Sequence, residues 1–117
     1  MRSPHVDIIA HPTGRLLGQR DSVEVDVEAV VEEAVKTGTM LEVNAQPNRL
    51  DLDGELARRA IKAGVLLALG SDAHHAQGLG VMRFGVVTAR RGWAESANVA
   101  NSFTCAEFLG RLRSGKA

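Results

Sequence analysis

Apolar residues recur along this chain in two rhythms, and the two rhythms alternate. Val6 to Ala10 is a short apolar run with β-branched residues, closed by His11-Pro12, and it predicts a strand. From Ser22 to Thr37 the spacing changes. Val27, Val30, Val31, Ala34 and Val35 follow the helical i, i+3, i+4, i+7, i+8 pattern, which predicts one apolar stripe. Asp26 stands where it can cap that helix, and Gly38 stands where a C′ glycine belongs. A second strand is expected over Met40 to Ala45, and a second helix over Asp53 to Ala63 with Gly64 as its stop. Val65 to Leu69 is unbroken apolar sequence, which suits a parallel strand buried on both faces. A third helix is expected from about Leu79 to Arg90, with Leu79, Met82, Val86 and Ala89 inward. Val99 and Ala100 suggest a short fourth strand. Thr104 and Glu107 form a capping box that starts a last helix, with Cys105, Phe108, Leu109 and Leu112 inward.

Strand and helix therefore alternate through an α/β chain of about four βα units, with no linker and no low-complexity segment. Four units make half a barrel, or a small open α/β sheet. In both architectures chemistry gathers at the carboxyl ends of the strands. The residues at those ends are His11, Asn44, the Asp72/His74 pair, and Asn101 or Ser102. The helix-to-strand junctions carry Gly38 and Gly64, which read as turns.

Charge narrows the partners. Lys and Arg number 14 and Asp and Glu number 14, so no global basic field exists to hold nucleic acid without help. One cysteine, Cys105, excludes an internal disulfide framework and fits a reducing compartment. No apolar run approaches the ~20 residues that span a bilayer. The chain is expected to be cytoplasmic, with no membrane partner.

Two segments carry candidate chemistry. In Asp72-Ala73-His74, residues two apart in an extended segment point the same way, so a carboxylate and an imidazole can face one Zn²⁺ or Mn²⁺. The competing reading is a loop aspartate that caps the next helix beside an exposed histidine. In His11-Pro12-Thr13-Gly14-Arg15, His11 can ligate a metal, Pro12 stiffens the turn, and Arg15 can grip a phosphate with its planar fork. An ordinary strand-end turn with a surface arginine is the alternative. His5 precedes its strand and His75 points away from His74, so both are expected to be bystanders. Arg90 and Arg91 close a helix, where positive charge is favoured anyway. The motifs of nucleotide-binding loops, serine hydrolases and zinc ribbons are absent.

Taken together, five segments resemble one family. They are His11-Pro12-Thr13-Gly14-Arg15, Glu42-Val43-Asn44-Ala45, Asn48-Arg49-Leu50-Asp51-Leu52, Ser71-Asp72-Ala73-His74, and the run Phe84 to Trp93. In this order they are similar to the C-terminal half of the PHP (polymerase and histidinol phosphatase) domain of bacterial family-X DNA polymerases, over essentially the whole chain. The resemblance implies a distorted (β/α)₇ barrel with up to three metal ions at its strand-end rim. It implies His11, Asp72 and His74 as metal ligands, with Arg15, Asn44 and Arg49 near the substrate. It also implies metal-dependent hydrolysis of DNA 3′ ends, as a 3′-5′ exonuclease or 3′-phosphatase.

Family members open this domain with a His-x-His element and add a Glu and further His ligands, none of which stands here. The chain is therefore expected to be a partial PHP domain over residues 1–117 with an incomplete Zn or Mn site. It is expected to be inactive alone, to need the N-terminal half of the barrel, and to meet DNA only in a longer parent. Two alternatives stay open. One is a phosphatase for a small phosphorylated metabolite, which the neutral charge favours. The other is a non-catalytic half-barrel that self-associates through exposed strand edges.

Overall fold

The computed structural model describes residues 1–112. It contains β1 (Ile8–Ile9), α1 (Val27–Thr37), β2 (Met40–Asn44), α2 (Gly54–Ala63) and β3 (Leu67–Gly70). A 3₁₀ segment (Ala76–Val81) leads into α3 (Met82–Arg91), and two 3₁₀ turns (Ser96–Asn98, Ala100–Ser102) precede α4 (Cys105–Arg111). The three strands form a parallel sheet in the order β1-β2-β3. Ile8 pairs with Met40, Leu41 with Leu67, and Asn44 with Gly70.

The first two helices stop and start where their end residues require. The Asp26 carboxylate accepts the Ala29 N–H at the start of α1, and Asp53 accepts that of Leu56 at the start of α2. Gly38 and Gly64 close the two helices in the left-handed conformation, at φ 68° and 93°. Both helices lie on one face of the sheet. Val31 and Ala34 of α1 and Ala57 and Ala60 of α2 form a single core with Leu41, Val43 and Leu67. The opposite face carries the alternate positions Glu42 and Asn44 of β2.

Four expectations for the strands and α3 need correction. β1 covers only Ile8–Ile9, because a strand with one neighbour has a single ladder to hold it. β3 is not buried on both faces: Leu67 is buried and Leu69 packs partly against the same core, whereas Ala68, on the other face, is only half-buried. The fourth strand reduces to a single parallel bridge between Val99 and Leu67, cut short by the flanking 3₁₀ turns. On α3 the inward face is Gly85, Thr88 and Ala89, whereas Leu79 and Val86 are 63% and 42% exposed. The reason is close approach: a Cβ on Gly85 would sit 3.0 Å from the Ala45 Cβ, so small residues take the contact and the large ones turn outward.

α4 has the Thr104/Glu107 capping box that its sequence predicts. Its expected inward stripe is not buried. Cys105 and Leu109 are exposed and Phe108 and Leu112 half-buried, because no described strand or helix packs extensively on α4. Beyond α3, Trp93 adopts φ 64° and lies exposed with the Arg58 guanidinium 4.3 Å above its ring. No helix among the described residues is long and apolar enough to cross a membrane.

Candidate functional site

The three strand-to-helix loops meet at the carboxyl ends of the strands, and the loop after β2 binds both of its neighbours. On one side it holds the His11–Arg15 loop. Asp51, fully buried, accepts the Thr13 N–H at 3.0 Å and the Gly14 N–H at 2.9 Å. Arg15 Nε donates to the Arg49 carbonyl at 2.7 Å and its Nη2 to the Leu50 carbonyl at 2.6 Å. On the other side Gln46 Nε2 donates to the Ser71 carbonyl at 2.7 Å, anchoring the segment that carries Asp72.

Asn44 sits between these two halves, buried at the end of β2. Its Oδ1 accepts the Gln46 N–H at 3.0 Å, which fixes the amide with Nδ2 turned toward Asp72 Oδ2, 3.2 Å away. The same Nδ2 stands 3.5 Å from Glu42 Oε2. Glu42 Oε2 in turn accepts the backbone N–H of His11 at 2.7 Å. His11 and Asp72, remote in sequence, are thus joined through Glu42 and Asn44. Both have left-handed backbone, φ 28° and 52°, which side-chain-bearing residues seldom adopt and surrounding contacts must hold.

The histidines divide by role. His74 is exposed, and its Nδ1 lies 2.8 Å from the Asp72 carbonyl. A carbonyl only accepts, so Nδ1 carries the proton, and in the neutral ring Nε2 keeps its lone pair. A carbonyl behind the imidazole is the usual way a ligating histidine is oriented. His75 does something else: its Nδ1 accepts the Gly78 N–H at 3.2 Å and caps the 3₁₀ segment. His5 is exposed ahead of β1, and its N–H meets Ser3 Oγ at 3.3 Å.

Arg49, Asp72, His74, His75 and Gln77 line one groove. His11 is not among the residues lining it. Arg15 does not reach the groove, since its guanidinium is engaged by two carbonyls and lies 3.9 Å from Asp53. Arg49 places Nη1 on the Arg15 carbonyl at 3.3 Å and lines the groove itself. In kind, the donors suit a divalent ion: a carboxylate with Oδ1 unbonded, an outward imidazole nitrogen, and a His11 ring without a hydrogen-bond partner among the described residues. In number they do not. Among the described residues no three His, Cys, Asp or Glu side chains are gathered to hold an ion.

Glu42 and Asp51 are the structurally central residues whose roles sequence reading missed. Each stands in a segment that carries the family resemblance, but nothing in the local spacing of either shows that it binds a loop more than thirty residues away.

No protein-family profile matches the chain. It is 49% identical over 102 residues to the DNA polymerase/3'-5' exonuclease PolX of Bacillus subtilis (strain 168), which covers 87% of this chain and 18% of that protein. It is 34% identical over 86 residues to a probable phosphatase of Shewanella halifaxensis (strain HAW-EB4), covering 68% of this chain and 32% of the relative. It is 32% identical over 80 residues to a probable phosphatase of Caldanaerobacter subterraneus subsp. tengcongensis, covering 63% and 29%. The resemblance read from the sequence is borne out, and the chain spans about a third or less of each of these relatives.

Proposed function

We propose that this chain, similar over most of its length to a family-X polymerase with exonuclease activity, is the C-terminal half of a PHP phosphoesterase domain. In this reading residues 1–117 form part of one distorted (β/α)₇ barrel. Strands in sequential order with both crossover helices on one face support it, because that winding curls a sheet toward closure. The proposed reaction is metal-dependent hydrolysis of phosphoesters at DNA 3′ ends, in a protein that brings the polymerase and the rest of the barrel.

One observation carries the reading. Asp72, His74 and Arg49 line a single groove at the strand ends, and the Glu42–Asn44 pair ties His11 to the same place. A bound Zn²⁺ or Mn²⁺ would supply a hydroxide at neutral pH and polarise the phosphate oxygens. The chain's own residues do the rest. His74 offers Nε2, Asp72 offers Oδ1, and His11 offers its ring, as part of a donor set completed outside these residues. Arg49 faces the phosphate as a fixed cation, and Arg15 braces Arg49 from behind. Asn44 serves the substrate by aiming Asp72.

The balance of 14 basic and 14 acidic residues, with similarity to probable phosphatases, favours a small phosphorylated metabolite as the second reading. The test is hydrolysis of a 3′-labelled DNA strand and of p-nitrophenyl phosphate, with Mn²⁺ or Zn²⁺ added. It is run on the chain alone and on the chain co-expressed with the remaining strands of a PolX-type barrel. The expected result is no turnover alone and DNA 3′-end cleavage after complementation. Cleavage of the small ester only selects the second reading. No turnover in either format, with a folded complex, leaves a non-catalytic domain and overturns both.

A further inference from the structure

We propose that Glu42 is a positioning residue, whose carboxylate holds His11 and Asp72 in fixed relation across β2. This rests on the reading of His11, Asp72 and His74 as metal donors. Three independent features carry it. Glu42 Oε2 takes the His11 N–H at 2.7 Å, and His11 leaves the strand at φ 28°, a turn that needs an external hold. Glu42 Oε2 also faces the Asn44 amide, whose Nδ2 reaches Asp72 Oδ2 at 3.2 Å. Finally, a Cβ built on Gly70 would overlap Glu42 Oε1, so the neighbouring strand leaves a glycine-sized space into which the carboxylate is seated.

The geometry gives Glu42 no part in ligation. Its Oε2 is committed to the His11 N–H and lies beside the Asn44 amide, and its Oε1 lies against Gly70. What it supplies is aim. The backbone of His11 is pinned at the nitrogen, so the imidazole leaves from a defined point. Asp72 is pinned at one carboxylate oxygen, so the other turns out. Both pins share Asn44 Nδ2 or Glu42 Oε2, and disturbing Glu42 loosens both loops together.

The test uses the whole chain, isotope-labelled, with its four histidines resolved by NMR. Two readouts are taken: hydrogen exchange at the His11 amide, without metal, and Mn²⁺-induced broadening of the His11 and His74 ring signals. Glu42→Leu is expected to speed His11 exchange by about tenfold relative to the Leu41 and Val43 amides, and to uncouple the broadening of the two rings. Glu42→Gln, which keeps one acceptor oxygen, is expected to restore most of the protection. Gly70→Ala approaches from the other side: it keeps the carboxylate but displaces it, and is expected to reproduce the Glu42→Leu exchange. That second variant decides the matter if Glu42→Leu fails to fold. Unchanged His11 exchange in Glu42→Leu and Gly70→Ala would overturn the proposal, as would unchanged joint broadening of both rings. If Mn²⁺ broadens neither ring in the wild type, the donor set needs the rest of the barrel to bind, and the exchange rates alone judge the hold of Glu42 on His11.

Discussion

Arg15 and Arg49 clamp each other by the backbone: Arg15 Nε donates to the Arg49 carbonyl at 2.7 Å, and Arg49 Nη1 donates to the Arg15 carbonyl at 3.3 Å. Each guanidinium is therefore held by the other residue's peptide oxygen. The pair staples the loop after β1 to the loop after β2.

Arg15→Ala removes two charge-assisted hydrogen bonds and leaves two carbonyls without them. Thermal or urea unfolding is expected to show a loss of about 1.5–3 kcal/mol. Arg15→Lys is expected to recover less than half, because an ammonium on a flexible stem cannot span both carbonyls as a planar fork does. Full recovery by lysine would mean that charge, not fork geometry, holds the loops.

Asp51→Ala removes the acceptor for the Thr13 and Gly14 N–H groups at a fully buried position. Leaving buried donors unpaired is expected to cost about 2–3 kcal/mol in urea unfolding. Asp51→Asn keeps one acceptor oxygen and is expected to lose less. Equal losses for both would show that the charge matters more than the count of acceptors.

Thr13 is the reverse case. It is buried, and its hydroxyl has no hydrogen-bond partner among the described residues. Thr13→Val replaces that hydroxyl with a methyl of similar shape and is expected to be neutral or to stabilise by up to ~1 kcal/mol. A destabilisation of more than ~1 kcal/mol in thermal melts would point to a hidden polar partner.

His74 and His75 are adjacent but separable. In the chain complemented with the rest of the barrel, His74→Ala is expected to weaken Mn²⁺ binding by about tenfold or more, and to leave the melting temperature almost unchanged, since the side chain is exposed. His75→Ala is expected to do the opposite: near-normal Mn²⁺ binding, with a stability loss of about 0.5–1 kcal/mol from the missing cap on Gly78. Exchange of these two phenotypes would shift the register of the donor pair by one residue.

The sequence made some of this legible and concealed the rest for physical reasons. The ends of α1 and α2 could be read because Asp26, Gly38, Asp53 and Gly64 act within one turn of themselves. The rim of His11, Asn44, Asp72 and His74 could be read because parallel strands bring their carboxyl ends together. The face of α3 could not, because Gly85 packs on Ala45 and reverses the usual preference for large residues inside. Cys105 looked like core only because it shares a helical stripe with Phe108 and Leu109, and a stripe does not say whether anything covers it. Glu42 was half-hidden among the apolar neighbours of β2 and gave no cue to its bond with His11.

The two-sidedness of β2 also has a genetic consequence. Leu41 and Val43 face the helices, while Glu42 and Asn44 face the loops. A saturation library across this strand, scored separately for cellular abundance and for function, is expected to split by parity. Changes at 41 and 43 would deplete the protein itself, whereas many at 42 and 44 would leave it abundant but idle. Four consecutive codons would then report two different kinds of failure, in alternation.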